Sequence, residues 1–185
     1  YSSVENALKK LGRKVLISNH MNILKKSDGI IFPGVGSFPT AMNSINKKKI
    51  KNQLIRLIKN KKPILGICLG MQILTECSEE ISFSKGLSII PGEIKYNISK
   101  KTKIVWKKIH FISSKSKYHS LNNEYFYFLH SLSYKGPIKY QKAITKKTFE
   151  VTAIIEKENV VGVQFHPEKS QLSGMKFLSI FLGIN

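Results

Sequence analysis

A cysteine set between two glycines, directly after a short apolar run, constrains this chain more than any other feature: Pro63-Ile64-Leu65-Gly66-Ile67-Cys68-Leu69-Gly70-Met71-Gln72. The run Ile64 to Ile67 predicts a buried strand. The Gly-x-Cys-x-Gly break after it predicts a sharp strand-to-helix turn that lifts the cysteine above the sheet, with a helix over Met71 to Glu76. Such a turn strains its central residue, and a Cβ two positions to either side would collide with adjacent strands, so glycine at 66 and 70 has a steric reason. The same residues also suit a plain buried thiol at a tight turn, so the motif needs company before it means chemistry.

The first half of the chain alternates strand-length apolar pieces with segments of helical period, the pattern of a parallel α/β sheet. Val4, Ala7, Leu8 and Leu11 form a helical stripe with Gly12 as its C-cap, and Lys14 to Ile17 reads as the strand that follows. Asp28 to Phe32 reads as the next strand, and Ile50, Leu54, Leu57 and Ile58 as the inner face of a lysine-coated helix. Beyond residue 85 shorter pieces suit antiparallel or mixed strands: Ile94 to Ile98, Ile109 to Ile112, Tyr125 to Leu129, Val151 to Ile155 and Val160 to Phe165. A last helix is expected over Leu172 to Leu182. The expected fold is therefore α/β, a mostly parallel central sheet flanked by helices with a smaller antiparallel extension, in one domain of 185 residues.

The formal charge of +20 raises the prospect of nucleic-acid binding. The residue types argue against it. Arginine, the usual reader of phosphate and base edges, occurs only as Arg13 and Arg56. The lysines are dispersed over helix faces and loops, as at 47–49, 59–62 and 107–108, and few aromatic residues interleave with them. Two cysteines, Cys68 and Cys77, without zinc-ligand spacing, point to free thiols, a reducing compartment and no metal. No apolar run approaches the length of a membrane span, and a cytoplasmic protein without membrane contact is expected.

Far along the chain, Gly162-Val163-Gln164-Phe165-His166-Pro167-Glu168 again ends an apolar strand in polar groups. A cysteine nucleophile needs a base beside it, and an imidazole can take its proton and later return it to a leaving group. Residues two apart on an extended segment share a side, so Glu168 can hold the tautomer and orientation of His166. On its own, His-Pro-Glu reads more readily as a surface loop with a pH-sensitive histidine. Acyl chemistry also needs oxyanion donors, which the glycine loop Pro33-Gly34-Val35-Gly36 and the N–H of Leu69 would supply; alone, that loop is an ordinary strand-ending turn.

Together these motifs resemble the class I glutamine amidotransferases of the Cys, His, Glu triad type. More closely, over almost the whole chain, Ser3 to Leu8, Phe32 to Phe38, Gly66 to Gln72, Ser78 to Glu80, Gly86 to Gly92, Phe128 to Ser131 and Gly162 to Ser170 resemble the glutaminase subunits of imidazole glycerol phosphate synthases, and among these Pro33 to Phe38 and Gln164 to Ser170 are the narrower signals. The resemblance implies Cys68 as nucleophile, His166 as base and acid, Glu168 as its orienter, and no cofactor. It implies that Gln72, Glu80 and the backbone around Gly36 and Ser131 hold glutamine, and that Trp106 and Lys169 face a partner. That partner would be a (β/α)8-barrel cyclase, joined in a heterodimer and fed with ammonia for histidine biosynthesis. Two departures stand out. The family opens on a short apolar strand that is missing before Tyr1-Ser2-Ser3, which would leave a sheet edge uncovered. Its Pro-His-x-Gly-Trp-Asn segment survives here only as Trp106 within Thr102 to Lys107. A related amidotransferase that feeds a sugar-modifying synthase, and a non-catalytic subunit of the same fold, are the competing readings.

Overall fold

A computed structural model describes residues 2–34, 36–96, 103–146 and 150–184. Val4, Ala7 and Leu8 bury the inner face of α1 (Ser2–Lys10), and Gly12 beyond its end takes the left-handed φ of +72° that ends helices. After α2 (Met21–Lys26) and β1 (Ile30–Gly34) come α3 (Phe38–Lys47) and α4 (Lys51–Lys59). α4 buries Leu54 and Leu57 and exposes Asn52, Arg56 and Lys59. β2 (Ile64–Cys68) runs without a linker into α5 (Leu69–Ile73), so that helix starts and ends earlier than its sequence suggested.

The second half holds β3 (Cys77–Ser78), β4 (Ser84–Lys85), β5 (Glu93–Tyr96), β6 (Lys103–Phe111), β7 (Tyr125–His130), β8 (Leu132–Lys135), β9 (Gln141–Thr145), β10 (Val151–Lys157) and β11 (Val160–Val163). It closes on α6 (Gln171–Phe181). Among the described residues the strands form a seven-stranded sheet, ordered β1-β2-β11-β10-β9-β6-β7, and a four-stranded one, ordered β4-β3-β5-β8. β1, β2 and β11 are mutually parallel, and the antiparallel strands continue the same sheet from β11 outward. A bridge between Phe128 and Phe165 bends β7 back toward the end of β11, so the sheet curls.

Strand period divides the core. Leu65 and Ile67 of β2 pack with Phe126, Phe128, Phe165 and Phe177 on the α1 and α6 side, while Ile64 joins Phe38, Leu54 and Met71 on the other. The segment Lys14 to Ile17 does not form the expected strand, and it leaves Leu16 62% and Ile17 66% exposed. Apolar content alone cannot make a strand. Among the described residues β1 pairs with β2 alone, and no strand lies beside residues 14–17 to take their backbone groups. Val35 of the glycine loop, and Asn97 and Ile98 of the strand expected over Ile94 to Ile98, lie outside the described residues.

Candidate active site

Parallel pairing brings three chain segments to one end of the sheet. Gly34 lies opposite Cys68, and Val163 opposite Ile67, so the glycine loop and the His166 segment leave the sheet on either side of the cysteine. The carboxyl end of parallel strands is where open α/β sheets place their chemistry. Cys68 sits at φ +54° and ψ −109°, a strained backbone for a residue with a side chain. The glycines around it are sterically required, though not for quite the expected reason. A Cβ on Gly70 would lie 1.8 Å from the Phe32 carbonyl oxygen of β1, whereas one on Gly66 would lie 2.5 Å from the Gly70 oxygen of its own turn.

His166 is 3% exposed, and its Nδ1 lies 2.8 Å from Glu168 Oε1. The pair does not share an extended segment. Pro167–Lys169 forms a 3-10 turn that folds the carboxylate under the ring. Ser170 and Tyr127 fix the segment: Ser170 Oγ donates to the His166 carbonyl at 2.6 Å and accepts from the Tyr127 N–H at 3.0 Å, while the His166 N–H donates to the Tyr127 carbonyl at 2.9 Å. In the neutral ring, with Nδ1 donating to Glu168, the Nε2 lone pair faces the sulfur and can take its proton. Nε2 is buried without a regular hydrogen bond, yet the Cys68 thiol is near enough to act on it. Burial pulls the imidazole down, but the interactions with Cys68 and Glu168 outweigh it and leave the ring pushed up to about 9.

The sulfur has two further neighbours. Its S–H points to the Leu129 carbonyl oxygen at 3.6 Å, and it accepts from Gln164 Nε2 at 3.6 Å. Gln164 Oε1 in turn accepts from Gln72 Nε2 at 3.3 Å. Leu69 is the first residue of α5 and follows the cysteine directly. Gly36 has φ +111° in the loop that leads from β1 to α3. Glu80 lies on the far side of that loop, where its Oε2 accepts the Phe38 N–H at 2.5 Å, at the first turn of α3. Ser131 is half-buried between β7 and β8, just past the Leu129 carbonyl.

Trp106 and Lys169 meet through a residue that sequence reasoning missed. Trp106, 41% exposed, packs edge-on against Tyr127 with ring centroids 5.9 Å apart, and Lys169 Nζ stands 5.6 Å from the centre of that tyrosine ring. Tyr127 also meets the His166 ring edge-on at 6.2 Å. Gln164 and Ser170 were likewise missed as working residues. The signal for Gln164 was present: a lone amide in the apolar run Val160 to Phe165 must be hydrogen-bonded to be tolerated.

A family model for class-I glutamine amidotransferases matches residues 2–182. Imidazole glycerol phosphate synthase subunit HisH 2 of Vibrio vulnificus (strain YJ016) is 39% identical over 187 residues, which cover 97% of this chain and 87% of that protein. The HisH subunit of Listeria innocua serovar 6a is 38% identical over 184 residues, covering 97% and 88%. A solved glutamine amidotransferase shares the fold with a TM-score of 0.79 at 14% identity, over 99% of this chain and 94% of that one. The glutaminase domain of Trypanosoma brucei CTPS, solved with bound acivicin, gives a TM-score of 0.67 at 16% identity, over 100% and 89%. At those identities the structural likeness speaks for the fold alone. The family match and the full-length sequence similarity go further: this chain belongs to the class-I glutamine amidotransferases and, within them, to the HisH subunits of imidazole glycerol phosphate synthase.

Proposed function

We propose that the chain hydrolyses glutamine to glutamate and ammonia through a Cys68 thioester, and that the ammonia passes to a (β/α)8-barrel cyclase partner making imidazole glycerol phosphate in cytoplasmic histidine biosynthesis. The observation that carries this reading is the buried His166 and Glu168 pair, 2.8 Å apart, turned toward a cysteine on a strained elbow. Cys68 gives its proton to His166, and the thiolate attacks the carboxamide carbon. The imidazolium then protonates the departing nitrogen as the carbon–nitrogen bond breaks, and ammonia leaves behind a γ-glutamyl thioester. Water, deprotonated by His166, opens the thioester and releases glutamate.

The Leu69 N–H and the backbone at Gly36 are assigned to the oxyanion. Gln72, Glu80 and Ser131 are assigned to glutamine, Glu80 from the position it holds against α3. Trp106 and Lys169 are assigned to the partner-facing surface. The sequence similarity to HisH subunits favours this acceptor over a sugar-modifying synthase.

Assay of glutamine turnover with the partner present tests the assignment. Cys68→Ala is expected to lower kcat by about 10⁴ or more, while Cys77→Ala keeps most of it. Equal losses in the two variants would overturn the thioester reading.

A further inference from the structure

Gln164 is fully buried where β11 gives way to the His166 segment. A buried amide is tolerated when its polar ends are met, and here both are, by Cys68 Sγ and by Gln72 Nε2. The two amides are coupled: with the Gln164 nitrogen toward the sulfur its oxygen accepts from Gln72, and turning Gln164 over alone would set its nitrogen against another donor, so the pair turns only together.

The sulfur therefore stands between unlike neighbours. The Leu129 carbonyl can only accept, and it favours the protonated thiol; the Gln164 N–H can only donate, and it favours the thiolate. Once the thiol proton has moved to His166, the Leu129 contact loses its attraction. The Gln164 contact becomes a hydrogen bond to a charged acceptor, which is stronger than one to a neutral one. We propose that Gln164 is a further catalytic residue, which holds the Cys68 sulfur as the attacking thiolate, with its amide orientation coupled to that of Gln72. The proposal rests on the reading of Cys68 as nucleophile.

The test follows alkylation of Cys68 by iodoacetamide from about pH 5 to about pH 10, in a Cys77→Ala background so that one thiol reports. Gln164→Glu keeps an acceptor for Gln72 but offers the sulfur no donor. It is expected to move the alkylation profile to higher pH by about one unit and to lower glutaminase kcat/KM by about tenfold or more. Gln164→Met, of similar length and uncharged, is expected to shift the profile the same way by less. Profiles for both variants that coincide with the parent's, or that lose rate equally at every pH, would overturn the role of Gln164. Turnover retained by Cys68→Ala would instead overturn the nucleophile, a different result in a different variant.

Discussion

At the residue scale the candidate site is held by neighbours as much as by Cys68 and His166 themselves. Cys68 keeps a positive φ because β2 and α5 join through it with no spare residue. His166 keeps its ring direction because Glu168, Ser170 and Tyr127 grip the ring and both backbone groups. Glu168 has its other oxygen, Oε2, buried without a hydrogen bond, which makes the bond to the imidazole its main support. Glu168→Gln removes the charge while keeping an acceptor. The protonation midpoint of His166, followed by NMR, should fall from about 9 toward the ordinary 6.5, and kcat should fall by about 10². The sign of the stability effect follows from the same shift. A folded-state value above the unfolded one contributes stability that is fully present below about pH 6.5 and is lost as pH rises through about 9. Urea midpoints across that window should decline for the parent and decline less for Glu168→Gln.

At the scale of elements, close backbone approach sets what the sequence can be. The start of α5 touches β1 so closely that Gly70→Ala must push the two apart, since its Cβ would lie 1.8 Å from the Phe32 oxygen. A loss of about 3 kcal/mol or more is expected by urea unfolding. Gly12→Ala, which meets no atom within 4 Å but keeps φ at +72°, should lose only about 1 kcal/mol. Elements with strong local signals were legible beforehand: the α1 stripe closed by Gly12, the α4 stripe of Leu54 and Leu57, and the apolar run that became β2. Others depend on partners distant in the chain. Lys14 to Ile17 has the composition of a strand and no strand beside it among the described residues. β6 begins at Lys103, well before Ile109, because pairing with β7 orders a stretch whose outward Ile104 and Trp106 sides gave no alternating pattern. That Cys68, His166 and Glu168 would meet was legible in their motifs, whereas the partners of Gln164 and Tyr127 were set only when β11, β2 and β7 came together.

At the scale of the whole molecule, part of the basic character is used locally. Lys62 reaches the Lys25 and Ser27 carbonyls at the end of α2, Lys51 the Gly86 carbonyl and Lys157 the Ile89 carbonyl. Lys9, Lys61 and Lys95 form ion pairs with Glu5, Glu158 and Glu93, all largely at the surface, where such pairs add little stability. Lys62, Lys51 and Lys157 thus tie the end of α2 and the segment between β4 and β5 to the frame, and the frame in turn carries three strand ends to one rim. Everything proposed for the molecule requires that a bond form between Cys68 sulfur and the substrate carbon at that rim. Rapid acid quench of the enzyme and its partner during glutamine turnover, followed by peptide mass analysis, looks for that bond directly. A γ-glutamyl group on the peptide that contains Cys68, absent from Cys68→Ala, is the predicted result. Steady turnover with that peptide unmodified, or with the acyl group on Cys77 instead, would contradict it.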